Sequence, residues 1–138
     1  MSLMLVWVSM DADRLAHAKA HPPRFLHRVE ACRAMVQECD GVELASMIEQ
    51  GLAGVIIDVR EQHEFEAGHL DGAHHLSKGV LERDIEAMIS TPDQRIVLYC
   101  GGGFRSAIAA ASLVEMGYQD VWSVWGGWRA IKAAGLVG

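Results

Sequence analysis

Three short runs of apolar, mostly β-branched residues punctuate this chain: Gly54-Val55-Ile56-Ile57-Asp58-Val59, Ile96-Val97-Leu98-Tyr99 and Val121-Trp122-Ser123-Val124. Continuous runs of this length, without the strict alternation of a strand that has one wet face, predict strands buried on both sides, as in a parallel sheet. Between them the period changes. Leu81, Ile85, Met88 and Ile89 share a helical face, and Ser106 to Met116 is rich in alanine and aliphatic residues, with Gly117 placed to stop it. Upstream, Met35 to Cys39 reads as a further short strand. Asp40-Gly41-Val42-Glu43 then supplies a cap and an acidic first turn for a helix with Leu44, Met47 and Ile48 on one face. Strand and helix in alternation predict an α/β domain with right-handed crossovers and a ligand site beyond the carboxyl ends of the strands.

The chain has 138 residues, half of them hydrophobic, enough for one globular domain to bury roughly two-thirds of its extended surface without disulfide or metal support. Its 12 Lys plus Arg against 18 Asp plus Glu, a formal net charge of −6, argue against nucleic-acid binding through a broad basic field. Cys32, Cys39 and Cys100 cannot all pair within the chain and no Cys-x-x-Cys is present, so a reducing compartment is expected. Leu3 to Val8 lacks a positive flank and is far shorter than the roughly 20 apolar residues of a membrane span. The expectation is a soluble, cytoplasmic protein with no membrane partner. Met1-Ser2-Leu3, ahead of Met4 and Met10 as alternative starts, carries no weight. From Asp11 to about Ala34 the pattern is helical in two pieces, with Pro22-Pro23 breaking the run before a stretch carrying Phe25, Leu26, Val29 and Cys32. This extension is expected to pack against the main domain.

The segment Tyr99-Cys100-Gly101-Gly102-Gly103-Phe104-Arg105-Ser106 carries the most chemistry, because it follows a buried strand and leads straight into a helix. Three glycines allow a tight turn with inward N–H groups, and the helix adds the positive end of its dipole, so the loop is an anion-holding nest. A Cys100 thiolate is its natural occupant, with Arg105 adding positive charge for the thiolate or an anionic substrate. Other glycine-loop readings fail on spacing: Ser106 stands where a dinucleotide fingerprint needs Gly or Ala, and no Gly-Lys-Ser/Thr exists.

Cys100-Gly101-Gly102-Gly103-Phe104-Arg105-Ser106 resembles the Cys-x-x-Gly-x-Arg-Ser/Thr active loop of the rhodanese sulfurtransferases. Asp58-Val59-Arg60-Glu61, Glu64-Phe65, Gly68-His69-Leu70, Gly72-Ala73, Ser77 to Glu82 and Gly126-Gly127 resemble further rhodanese signatures in the right order. The resemblance implies a three-layer domain over residues 35–138, a central parallel sheet flanked by helices on both faces, behind an N-terminal helical extension over 1–34. It implies that Cys100 takes sulfane sulfur from thiosulfate or a persulfide and passes it to a thiol, cyanide or a protein acceptor. Gly101, Gly102, Gly103, Phe104 and Ser106 would form the substrate loop, and no metal or organic cofactor is implied. A sulfur carrier or persulfide sensor that depends on a protein partner is the alternative. Phosphatase or arsenate-reductase chemistry ranks lower, because related enzymes of those kinds carry one more residue between cysteine and arginine than the Cys-x4-Arg found here.

Asp58 and Arg60 end a strand on the same sheet edge as Cys100 and are expected to support the loop through charge-assisted hydrogen bonds, with Arg60 divided between that and substrate attraction. Glu82 is a further candidate partner for an arginine near the site. No metal site is expected at His63, His69, His74 and His75: the adjacent pair points to opposite faces of a strand, and His69 sits in the Gly-His-Leu turn, where a structural hydrogen bond is the simpler role. Trp125 is expected at the pocket mouth, Trp122 and Trp128 in the core, and Phe104 as an apolar lip over the sulfur. Cys32 and Cys39 share no motif with Cys100. The chain departs from the common family pattern at Asp71, where proline is frequent, and at Ile131, where tryptophan is frequent and Trp128 stands earlier instead.

Overall fold

A computed structural model describes residues 21–137. The first of the two helical pieces expected between Asp11 and Ala34 lies outside the described residues. The second is α1 (Pro23–Arg33), which begins where proline tolerates a helix, at its first position. It is followed by β1 (Gln37–Cys39), α2 (Gly41–Glu49), β2 (Val55–Asp58), α3 (Gln62–Ala67), β3 (His74–His75), α4 (Lys78–Met88), β4 (Ile96–Tyr99), α5 (Phe104–Glu115), β5 (Val121–Val124) and α6 (Gly127–Ala133). The cap at α2 forms as expected: the Asp40 carboxylate accepts from Glu43 N–H at 2.8 Å, and Glu43 reaches back to Asp40 N–H at 3.3 Å.

All five strands are parallel, in the order β1-β5-β4-β2-β3. The continuous apolar runs are explained by this arrangement, because β4 lies at the centre and every one of its residues is buried. Its side chains alternate between two cores. Ile96 and Leu98 join Ile57, Leu81, Ile85 and Leu113 under α4 and α5, whereas Val97 and Tyr99 join Leu44, Ile56 and Ile131 under α2 and α6. Ile131, the family departure, is thus a fully buried core residue. A third, smaller cluster joins Leu26 and Val29 of α1 to Phe104 and Ala107 of α5. α1 therefore packs on the helix that begins at the cysteine loop. No helix among the described residues is long and apolar enough to cross a membrane.

Candidate active site

β4 delivers Cys100 at its carboxyl end, and the chain turns through three glycines into α5. Gly103 has φ +97°, and a Cβ there would stand 3.0 Å from both Gly126 N and Val124 O, so backbone conformation and crowding each call for glycine. The turn wraps the sulfur. Gly103 N–H donates to Cys100 Sγ at 3.1 Å and Ser106 N–H at 3.3 Å, while Ser106 Oγ lies 3.4 Å away. Ser106 Oγ is in turn 2.8 Å from Ser123 Oγ, and both hydroxyls are fully buried. Two amides donate to this sulfur and the Ser106 hydroxyl, which accepts from the thiol, lies beside it, a polar cradle suited to a sulfur anion.

The outer side of the loop is tied to α6. Trp128 N–H donates to Cys100 O at 2.7 Å and Arg129 N–H to Gly101 O at 3.3 Å. In a trans peptide the C=O and the following N–H point opposite ways, so these bonds turn Gly101 N–H and Gly102 N–H away from α6. Neither amide has a partner among the described residues, and both glycines line the cavity over Cys100. The approach depends on Gly127, where a Cβ would fall 2.4 Å from Cys100 O.

Arg105 closes the loop, and its guanidinium forms a bidentate pair with Glu64 of α3 at 2.8 and 3.1 Å. The arginine's hydrogen bonds hold the Glu64 carboxyl well below the usual carboxylate range, at about 2. Glu82, the partner considered from sequence, is instead an exposed charge on α4. Asp58 and Arg60 do not bond directly to the cysteine loop. They form a buried ion pair at 2.7 Å, and Arg60 also donates to Gly68 O at 2.7 Å. Arg60 lines the cavity and lies over the Trp128 ring at 4.8 Å, so the pair reaches the loop through Trp128.

Trp122 and Trp128 pack against the core as expected, but Trp128, not Trp125, also lines the cavity. Because α6 begins against the loop, Trp128 lines the cavity, stacked 6.2 Å from Tyr99. Trp125 is not among the cavity's lining residues; its ring lies 6.1 Å from that of Phe104, with the Arg33 guanidinium 3.7 Å over it. Phe104 lines the cavity, yet the residue is only 3 % exposed and is packed by Leu26 and Val29 of α1. His69 and His75 flank Phe65 in a stack, and their ring N–H groups donate to the carbonyls of Phe65 at 2.9 Å and Arg60 at 2.8 Å. No group of His, Cys, Asp and Glu among the described residues is arranged as a metal cage. Cys32 and Cys39 are buried in separate helix and strand positions, and burial pushes the Cys39 thiol up to about 12.

Sequence reasoning assigned no role to Glu64 or Ser123. The signal for Ser123 was available: it is the one hydroxyl in an otherwise apolar strand. A cavity of about 720 Å³ opens over Cys100, with Glu64, Arg60, Arg105 and Arg129 around its charged side and aromatic residues on the other.

An open parallel sheet that presents a cysteine in an arginine-closed glycine loop at its carboxyl edge defines a cysteine-centred α/β domain. The profile of the Rhodanese-like domain matches residues 41–134, and the chain belongs to that family. It is similar to the thiosulfate sulfurtransferase GlpE of Pseudoalteromonas translucida, 39 % identical over 80 residues that cover 58 % of this chain and 74 % of the relative. It is also similar to the tRNA uridine(34) hydroxylase of Cronobacter sakazakii, 36 % identical over 77 residues, or 53 % of this chain; the match spans only 22 % of that relative's length. Among solved structures, a Rhodopseudomonas palustris protein of unknown function, titled a possible tyrosine phosphatase, superposes with a TM-score of 0.76 at 26 % identity over 83 % of this chain and 93 % of the other. The human single-domain sulfurtransferase TSTD1 shares the fold, with a TM-score of 0.62 at 23 % identity over 71 % of this chain and 96 % of the other.

Proposed function

We propose that this protein is a sulfurtransferase that carries sulfane sulfur on Cys100 from thiosulfate or an organic persulfide to a thiol or cyanide. The convergence of Gly103 N–H, Ser106 N–H and Ser106 Oγ on Cys100 Sγ carries the reading. The Cys100 thiolate attacks the outer sulfur of thiosulfate, the new S–S bond forms on Sγ, and sulfite leaves with the electron pair of the broken bond. Gly101 and Gly102 N–H, facing away from α6, stabilise charge on the transferred sulfur and the departing group. Arg105, oriented by Glu64, draws the anionic donor to the loop. Cyanide or a thiolate then attacks the terminal sulfur and leaves Cys100 as thiolate again. Asp58 and Arg60 act as positioning residues through Trp128. No cofactor enters this sequence of steps.

The test is the intact mass of wild-type and Cys100→Ser protein after thiosulfate and again after cyanide. The expected result is a gain of one sulfur atom in wild type alone, lost to cyanide with thiocyanate formed. Equal gain in the serine variant overturns the assignment of Cys100. Stoichiometric loading without turnover favours a carrier or sensor dependent on a protein partner. The resemblance to a structure titled a possible tyrosine phosphatase makes hydrolysis of an aryl phosphate without sulfur loading the outcome that replaces the proposal. The Cys-x4-Arg span favours sulfur, because the related phosphatases carry one more residue between cysteine and arginine.

A further inference from the structure

Resting on the sulfurtransferase reading, we infer that the wall contributed by α1 selects an anionic sulfane-sulfur donor with a flat apolar body, the chemical class of an aryl thiosulfonate. The cavity volume of about 720 Å³ is that of a pocket for an organic molecule, whereas thiosulfate is a single small tetrahedral ion. Among the described residues, the excess space has a definite lining. His21, Pro22 and Phe25 form one side, and they precede the 41–134 segment that matches the family. The His21 and Phe25 rings lie 4.9 and 6.5 Å from the ring of Phe104, and 5.2 Å from each other, so the three rings pack as one aromatic cluster at the cavity. Trp128 lines the same cavity from α6, held by its stack on Tyr99 and by Arg60.

This wall is anchored by buried side chains. Leu26 and Val29, on the same helix as Phe25, are 1 % and 0 % exposed against Phe104 and Ala107. Phe25 itself is half-buried, with its ring at the cavity. A donor with its anionic head on the loop amides would place an aryl body among these rings, where aromatic contact adds binding that a methyl group cannot supply. The step keeps the same balance: the Cys100 thiolate attacks the terminal sulfur of R–SO2–S⁻, the S–S bond to the sulfonyl breaks, and R–SO2⁻ leaves with the electron pair.

The test compares kcat/KM for loading Cys100 from benzenethiosulfonate and methanethiosulfonate, each normalised to its rate with free cysteine, with thiosulfate as a third donor. The expected preference for the aryl donor is about tenfold or more, the size of a good aromatic contact. Phe25→Ala is expected to lower that ratio several-fold, and Phe25→Leu, which keeps an apolar filler for α1, to lower it less. General damage to the fold slows both donors together and does not imitate a change in ratio. A normalised ratio near one in wild type, or the same ratio in wild type and Phe25→Ala, overturns the inference while leaving sulfur transfer intact. Failure of every donor to load Cys100 overturns the sulfurtransferase reading and this inference with it.

Discussion

Replacing Gly127 with alanine tests how the loop is held. Gly127 has φ +54°, and an added Cβ would stand 2.4 Å from Cys100 O and 2.7 Å from both Gly101 C and Gly101 O. All three atoms are backbone, so no side chain can swing aside. Relief to an ordinary contact near 3.4 Å requires the α6 start and the loop to part by about 1 Å. That displacement breaks the 2.7 Å bond from Trp128 N–H to Cys100 O. The left-handed backbone costs an alanine about 1 kcal/mol, the overpacking about 1–3 kcal/mol and the lost hydrogen bond about 1 kcal/mol. A total near 3–5 kcal/mol corresponds to a fall in melting temperature of roughly 10–20 °C for a domain of this size. Gly51→Ala is the matched control, because Gly51 has φ +71° but nothing within 4 Å of the added Cβ. It is expected to lose only about 1 kcal/mol, the backbone cost alone. Thermal unfolding by circular dichroism measures both variants, and sulfur loading from thiosulfate is timed well below both midpoints. Loading is expected to fall more than tenfold in Gly127→Ala and to stay at the wild-type rate in Gly51→Ala, because only the first variant moves the peptides that flank Cys100. Equal stability losses in the two variants, or wild-type loading by Gly127→Ala, would refute the argument that α6 sets the loop.

Three further expectations follow from the same geometry. The Glu64 carboxyl titrates at about 2 in the folded chain against an ordinary 4.5, so its pairing with Arg105 stabilises the fold fully above about pH 4.5 and is lost as pH falls towards 2; the stability gap between wild type and Glu64→Gln, followed by denaturant titration, should be flat above pH 5 and shrink below it. Alkylation with iodoacetamide at pH 8 should modify Cys100 and leave Cys39, whose thiol is raised to about 12, and the buried Cys32 unlabelled until the chain is unfolded, as peptide mapping will show. Ser123→Ala removes the buried partner of Ser106 Oγ and should cost about 1–2 kcal/mol by urea denaturation, with slower sulfur loading that Ser123→Thr partly restores.

Much of the framework was legible without coordinates. The three continuous apolar runs became β2, β4 and β5, because a strand covered by helices on both faces has no wet side to mark with polar residues. Pro22-Pro23 and Asp40 marked the starts of α1 and α2, since proline geometry and side-chain capping act within a few residues of themselves. The loop between Cys100 and Ser106 was equally visible, as glycine spacing fixes where the backbone can turn. The tryptophans were not. Trp125 and Trp128 are three positions apart in nearly the same composition, and only the start of α6 at Gly127, against the loop, decides which ring faces the cavity.

What the chain alone determined, then, was the set of strands and helices and the presence of one cysteine in an anion-holding turn, all consequences of local dihedral preference, hydrophobic period and the lack of a Cβ. Tertiary structure decided which groups meet there. Glu64 reaches Arg105 across 41 residues, Ser123 reaches Ser106 across 17, and Phe25 of α1 joins the wall of a cavity whose floor is the β4–α5 loop. Each of these contacts depends on how far one helix slides over a sheet face. That distance is set by the packed volume of side chains from many parts of the chain at once, and no local stretch of sequence carries it.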